Sequence, residues 1–288
     1  MITIITPTYN RAYILPQLYD SLCRQTLKSF EWIVVDDGSI DSTKQLVSKW
    51  IEDKNIDIKY FYQENAGKMQ AHNRGVLNAS KEYILCVDSD DYLVDNAIEL
   101  ILNKEKCLNN QIGIIAYRGF KNLHNAPRAE FPTQIVDSTL IDLYKVGFNG
   151  DTALIYRTEI LQKFLFPKFG EEKFITEAYV YDQIDQIGKM ALLPKVLIIC
   201  DYLEDGYTNN TLDLYRKYPI GWRKFYLQRI NNASTIKDKI RLMSFSIAYL
   251  LLAKRFGLIL EGKVLLSIMC FPIGLYLYIK MFYLNRQK

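Results

Sequence analysis

Histidine is nearly absent from this chain, which holds only His72 and His124 in 288 residues. That leaves too little material for a histidine metal cluster or a Ser-His-Asp triad. Cysteine is also sparse: Cys23, Cys86, Cys107, Cys200 and Cys270 are odd in number and lack close paired spacing, so neither a zinc site nor a disulfide framework is suggested. No glycine-rich phosphate loop opens the chain, and no tandem repeat or low-complexity linker interrupts it. The first strand-like run starts at Ile2 with no charged, apolar secretory leader before it, so the catalytic unit is expected in the cytoplasm.

What the chain does have is acid at the ends of short apolar runs. The tightest example is Asp88-Ser89-Asp90-Asp91, directly after Tyr83-Ile84-Leu85-Cys86-Val87. A β-branched run closed by carboxylates places them at the carboxyl edge of a buried strand, where open α/β sheets bind ligands. Asp88 and Asp90 then share one side of that edge. As hard oxygen donors they suit Mg²⁺ or Mn²⁺, which takes its remaining oxygens from water and substrate phosphates. A turn or helix cap would use the same residue types. An EF-hand does not fit, because Leu93 stands sixth from Asp88, where that loop needs glycine.

Three further strands precede this one. Ile2 to Thr6 runs into the turn-rich Pro7-Thr8-Tyr9-Asn10-Arg11, followed by helical spacing at Leu15, Leu18 and Leu22. Glu31 to Val35 closes on Asp36-Asp37-Gly38-Ser39. Ile58 to Tyr62 is followed by Asn65-Ala66-Gly67-Lys68 and a helix carrying His72, Asn73 and Arg74. Strands alternating with helices imply parallel βαβ units, which bring all four strand ends to one crevice. There Asp37 can accept a hydrogen bond from a uracil N–H, and the backbone around Thr6 and Tyr9 can frame the base. Lys68 and Arg74 can offset diphosphate charge. Each has a plainer alternative: a turn for Asp36 to Ser39, solvated helix charges for Lys68 and Arg74, packing for Tyr9.

The series Thr6-Pro7-Thr8-Tyr9-Asn10, Asp36-Asp37-Gly38-Ser39, Asn65-Ala66-Gly67, Asn73-Arg74-Gly75 and Asp88-Ser89-Asp90-Asp91 resembles the family 2 glycosyltransferases, inverting enzymes of the GT-A fold. The resemblance covers residues 1 to 120 strongly and 145 to 205 more loosely. It implies a Rossmann-like mixed α/β sheet flanked by helices, a UDP-sugar donor and a divalent ion held at a DXD motif. Carried over, Asp37 is the base reader, Asp90 the metal ligand, Asp88 lies near ribose and metal, Ser89 belongs to the nucleotide-sugar site, and Asp91 lies near the sugar. Inversion needs one general base. Family members commonly carry an acid pair at the start of a later helix, and Glu177 matches its first position, while Ala178 replaces the second acid. Glu177 is the first choice, Asp182 the second and Asp151 the third. Helix capping is the alternative role for Glu177. The chain lacks the Gln-x-x-Arg-Trp segment of processive synthases, which points to transfer of a single sugar.

The carboxyl-terminal quarter differs in character. Residues 216 to 288 hold 14 Lys and Arg against 2 Asp and Glu, a net charge of +12, whereas residues 1 to 215 hold 22 against 30, a net of −8. The bases are interleaved with Tyr215, Tyr218, Trp222, Phe225 and Tyr226, a mixture suited to an anionic membrane surface. Apolar runs follow at Leu242 to Ala253 and Val264 to Leu284. The first is too short to span a bilayer, and the second contains Pro272, Gly274 and Lys280, so interfacial or re-entrant helices are expected. The plainer alternative is a helical pair packed on the catalytic domain. Nucleic acid explains neither the apolar end nor the acidic edge.

The expected organisation is a catalytic domain over 1 to 215, with donor and acceptor halves meeting at 120/121, and a helical membrane-associating extension over 216 to 288. The expected activity is transfer of one sugar from a UDP-sugar to a lipid-linked saccharide at the cytoplasmic face of the membrane, in bacterial surface polysaccharide assembly. Competing readings are a noncatalytic membrane adaptor with a sugar-nucleotide fold and a nucleotidyltransferase.

Overall fold

The structure is a computed structural model that describes residues 1–201, 211–254 and 264–283. Its first half is built on β1 (Ile2–Thr8), α1 (Leu15–Cys23), β2 (Phe30–Asp36), α2 (Thr43–Asp53), β3 (Ile58–Tyr62), α3 (Lys68–Asn78) and β4 (Tyr83–Cys86). The four strands are parallel in the order β3-β2-β1-β4. Every residue of β1 and β2 is buried, as befits strands covered on both faces. On one face Ile2, Ile4, Trp32 and Val34 meet Leu15, Leu18, Val47 and Trp50. The Tyr19 and Trp50 rings stack 4.2 Å apart beneath them. On the other face α3 lies close against β1, because a Cβ at Gly75 would stand 2.4 Å from Ile5 Cγ2. Only glycine permits that approach.

The sheet then continues in mixed order. β5 (Tyr92–Leu93), α4 (Ala97–Glu105), β6 (Gly113–Phe120), β7 (Asp137–Ser138), α5 (Leu140–Lys145), β8 (Thr152–Arg157), α6 (Thr158–Leu161), α7 (Ala178–Ile184) and β9 (Met190–Cys200) follow. The full order is β3-β2-β1-β4-β8-β6-β9-β5, with β7 on β9. β8 is antiparallel to both β4 and β6, and β9 is parallel to β6. The ends of β6 and β9 therefore lie at the same edge as those of β1 to β4, together with the beginning of β8.

Two compact units emerge: Met1–Phe166 with Val180–Leu203, and Pro167–Tyr179 with Glu204–Lys288. This differs from a division at 215/216, since Pro167–Tyr179 groups with the carboxyl-terminal helices α8 (Thr211–Lys217), α9 (Pro219–Asn232), α10 (Ile236–Ala253) and α11 (Val264–Tyr278). The reason is local. Both Glu172 carboxylate oxygens accept backbone N–H groups at the start of α9, from Ile220 at 2.8 Å and Gly221 at 2.7 Å. Those donors have no partner inside a helix, and a carboxylate also complements the helix dipole there. β6, which ends at Phe120, pairs with β8 and β9, so the sheet is continuous across 120/121. Leu284, the last residue of the expected second apolar run, lies outside the described residues.

One buried carboxylate, paired with a half-exposed lysine, ties the base of the sheet. Glu31, wholly buried on β2, accepts hydrogen bonds from Thr3 Oγ1 (2.6 Å), the Ser80 N–H (2.8 Å) and Lys59 Nζ (2.6 Å). Burial pushes its carboxyl upward, but these donors outweigh that and hold it at about 2 against an ordinary 4.5. A depressed acid contributes stability above its unfolded pKa and loses it as pH falls. Glu31→Ala should therefore cost about 3 kcal/mol at pH 7 in denaturant unfolding, and the difference from the parent should shrink between pH 4.5 and 2. An undiminished difference at the acid end would show that packing, not charge, sets the cost.

Candidate active site

The turns after β1 and β2 are fastened to each other. Asn10 takes a left-handed backbone, φ 53°. Its N–H donates to Ser39 Oγ at 2.8 Å and its Oδ1 accepts from the Ile40 N–H at 2.8 Å. The Ala12 N–H donates to Asp41 Oδ2 at 3.0 Å. Asp36 accepts from Tyr60 Oη at 2.6 Å and from the Ser39 N–H at 2.7 Å. Asp37 organises the next loop: one oxygen accepts from Gln63 Nε2 (2.7 Å) and the Ala66 N–H (2.9 Å), the other from the Gly67 N–H (2.8 Å). Gly67 sits at φ 94°, where a side chain would be strained, so it turns the chain into α3. Asp37 is thus a loop anchor at the crevice, with both oxygens already accepting hydrogen bonds.

The Thr6 side chain turns away from the edge, leaving only its backbone on that side of the expected base position. It lies two residues inside β1, wholly buried, and its Oγ1 accepts from Trp32 Nε1 at 3.0 Å within the core. Tyr9, beyond the strand end, is 47% exposed and stands at the edge. Thr8 Oγ1 between them is buried with no hydrogen-bond partner.

The acidic segment is a tight turn between β4 and β5, closed by the Asp91 N–H on the Asp88 carbonyl at 3.1 Å. Lys68, at the first position of α3, places Nζ 2.7 Å from Asp88 Oδ1. Arg118 on β6 reaches the same turn: Nη1 is 2.9 Å from Asp91 Oδ2 and 3.7 Å from Asp88 Oδ2. Its Nε donates to the Thr152 carbonyl at 3.2 Å. The β6–β9 register shifts on either side of Tyr117, next to Arg118. Such an irregularity re-aims a strand side chain. The Arg118 Nη1 also lies 3.7 Å from Cys200 Sγ, whose thiol burial pushes up to about 12.

The three acids differ sharply. Burial raises the carboxyl of Asp88, but Lys68 and Arg118 overcome it and hold it at about 2. Asp90 is raised by burial and by the charge of Asp88. Asp91 is raised to about 7: burial comes first, and repulsion from Asp88 and Asp90 adds to it despite the attraction of Arg118. Ser89 is also buried in this turn. The turn thus concentrates three carboxylates at the strand edge against the two cations Lys68 and Arg118.

Arg74 does not join this cluster. It follows Lys68 by six residues, about 9 Å farther along α3 at 1.5 Å per residue, and its guanidinium lies over the Phe61 ring, 5.7 Å from the centroid. Its neighbour Asn73 has a defined structural role. Asn73 Nδ2 donates to the Phe166 carbonyl at 2.8 Å, and Oδ1 accepts from the Phe166 N–H at 2.9 Å. Gln70 Nε2 also donates to that carbonyl at 3.2 Å, and His72 meets the Phe166 ring edge-on at 5.2 Å.

The candidate bases are dispersed. Asp151 precedes β8 at the crevice edge, with Arg128 Nη1 3.4 Å from Oδ2. Asp182 is buried on α7 near Asp185, whose carboxylate accepts the Leu140 and Ile141 N–H groups at the start of α5. Glu177 belongs to the second unit, directly ahead of α7, with an exposed side chain.

Arg118 is the site residue that motif spacing missed. Its signal in the sequence is one arginine inside the apolar run Gly113-Ile114-Ile115-Ala116-Tyr117-Arg118-Gly119-Phe120, since a buried base needs a partner. Arg118→Ala should destabilise the protein by about 3 kcal/mol at pH 8, where Asp91 is ionised in the parent and its ion pair is lost. The loss should be smaller at pH 5, below the value of about 7 at which Asp91 gives up its proton. Equal losses at both pH values in denaturant melts would remove Asp91 as the partner that matters.

Known proteins carry the same arrangement of chain. Over 238 residues the sequence is 29% identical to the glycosyltransferase GlyA of Streptococcus pneumoniae, covering 81% of this chain and 31% of that protein. The chain therefore spans about a third of the length of that relative. The structure of residues 1-349 of Staphylococcus aureus TarS in complex with UDP-GlcNAc superimposes with a TM-score of 0.60 at 21% identity, covering 97% of this chain and 81% of that one. A Pyrobaculum calidifontis mannosyltransferase in complex with GDP-Man and Mn²⁺ gives 0.57 at 18% identity, over 97% and 81%. At these identities the structural likeness is one of fold, the GT-A fold. The family model for glycosyl transferase family 2 matches residues 3–165, a span holding the β1–β4 edge, the acidic turn and Arg118, and the chain belongs to that family.

Proposed function

We propose that this protein is a hexosyltransferase that moves one sugar from a UDP-sugar, with inversion, to a hydroxyl of a lipid-linked saccharide. The observation that carries the reading is the acidic turn Asp88 to Asp91, set at the strand edge where the β1, β2 and β3 turns also converge. The uridine assignment is supported by the complex of UDP-GlcNAc with TarS, a protein of the same fold.

Hard carboxylate oxygens at Asp90 and Asp88 fit Mn²⁺ or Mg²⁺, which usually takes one or two carboxylates with substrate phosphates and water. The described residues hold no group of three or more His, Cys, Asp or Glu arranged for a metal. When bound, the cation would stabilise charge on the departing diphosphate. The rest is the work of the chain. Lys68, now on Asp88, has a flexible ammonium within reach of both carboxylate and phosphate oxygens. Arg118 fixes Asp91 beside the sugar position. Asp37 keeps the Ala66-Gly67 loop in place, and Tyr9 offers a ring to the base. Glu177, exposed at the start of α7, would take the proton from the acceptor hydroxyl.

The second unit supports the proposed acceptor and location. Val264–Tyr283 is long and apolar enough to cross a bilayer, with a mean hydropathy of 1.8 and 17% of the window buried. Leu265, Ile268, Met269 and Tyr276 are each at least 60% exposed. Together with the +12 of residues 216 to 288, such a face favours the anionic cytoplasmic leaflet, where a soluble UDP-sugar and a membrane-held acceptor meet. A role in assembling surface polysaccharide is the proposed outcome of that meeting.

Transfer is tested with radiolabelled UDP-GlcNAc, Mn²⁺ and membrane lipid extract, following UDP release and labelled lipid. Asp90→Ala should weaken donor binding and abolish turnover. Glu177→Gln should leave the donor Kd unchanged and lower kcat about a thousandfold. Donor affinity falling in step with kcat in Glu177→Gln would remove Glu177 as the base, and pyrophosphate release from UTP with no sugar transfer would overturn the transferase reading.

A further inference from the structure

Three helices of the second unit line an apolar cavity, open on one side, that the transfer chemistry does not use. It lies between α9, α10 and α11, has a volume of about 270 Å³, and is walled by Leu227, Met243, Ile247 and Phe271. Cavities of about 150 Å³ with such walls stay dry and take a benzene ring, so this one has room for a stretch of hydrocarbon.

The cavity also has a polar side. Arg223, only 2% exposed, lines it with Ser246 and Ser267. A guanidinium offers five donors in a planar fork that matches phosphate oxygens, and serine hydroxyls add donors beside it. One wall of the cavity is α11 itself. Cys270 and Gly274 are buried on its inner face, while Leu265, Ile268 and Met269 are exposed on the outer one. Ile268 and Phe271 belong both to the cavity lining and to the exposed surface. Pro272 at the cavity lacks an N–H, so the residue 268 carbonyl has no α-helical donor from it. Lys280 and Tyr283 near the end of this stretch are of the types that anchor helices at a membrane interface.

We infer that the α9–α10–α11 cavity is a seat for one anionic phospholipid of the bilayer, with its phosphate at Arg223 and one chain between α10 and α11. This rests on the membrane reading given above and deepens it: α11 does more than lie against lipid, since a single lipid molecule enters the helical unit and pins it. The choice of an anionic lipid follows from charge complementarity across the basic segment.

The test uses the full chain and vesicles of phosphatidylcholine doped with phosphatidylglycerol that carries a photoactivatable diazirine in one chain. Adducts are mapped by mass spectrometry, and vesicle co-sedimentation is measured in parallel. Inner-wall adducts at Leu227, Met243 or Ile247 are expected alongside outer ones at Leu265 or Met269. Arg223→Gln should lower inner-wall yield about tenfold, the loss of one charge-assisted hydrogen bond, with outer adducts unchanged. Should that variant fail to fold, Ser267→Phe fills the cavity from its half-buried side and should give the same loss. Labelling confined to Leu265 and Met269 would overturn the cavity seat while leaving membrane association standing. Full competition by soluble glycerol phosphate would identify a free phosphate compound as the occupant and overturn the lipid. Absence of both adducts and co-sedimentation would defeat the membrane reading itself.

Discussion

Crowded carboxylates at the end of β4 are the constraint around which the first unit is arranged. Asp88, Asp90 and Asp91 repel one another in a largely buried turn, and repulsion of that kind is tolerated only with counter-charge supplied at close range. Lys68 arrives from the first residue of α3 and Arg118 from β6. Each delivery has its own structural cause. The Asp37 carboxylate holds the Ala66 and Gly67 N–H groups so that α3 starts at the crevice, and Gly75 lets α3 lie on β1. The antiparallel insertion of β8 brings β6 to the same edge, and the register shift beside Tyr117 marks where Arg118 leaves the regular ladder. A divalent ion entering this lattice would replace part of the counter-charge rather than add to an empty site, and Lys68 is the group best able to move.

The second unit obeys a different balance. Its helices are tied together by aromatic rings, with Trp222, Tyr226 and Tyr249 stacked at centroid distances of 5.7 to 6.1 Å, and by the Glu172 carboxylate at the start of α9. α11 is packed on one face and bare on the other. Exposed apolar surface on that scale marks an interaction site, and the excess of Lys and Arg over Asp and Glu favours a partner that is both apolar and anionic.

Much of the parallel half was legible in the sequence because its signals are local. The run Ile58 to Tyr62 coincides with β3, and the strand ends are marked by their acids and glycines. Signals separated by long stretches of chain were not legible. Nothing near Asp91 announces Arg118, 27 residues away across an intervening helix, and nothing near Asn73 announces Phe166. The same limit applies to Glu172, which draws residues 167 to 179 into the carboxyl-terminal unit. Thr6 and Arg74 show a simpler limit: a motif indicates a neighbourhood, whereas pleat and helical rise decide which side chain reaches the edge. Thr6 turns into the core against Trp32, and Arg74 lies two helical turns down from Lys68.

The central claim is that this strand edge binds a divalent cation and a uridine diphosphate as one unit. The most direct test is calorimetric titration of Mn²⁺ into the full chain with and without saturating UDP, together with the reciprocal titration. Shared coordination predicts that each ligand tightens the other by the same factor, as linkage demands. Binding of either ligand with an affinity indifferent to the other would contradict a common site at Asp88 and Asp90.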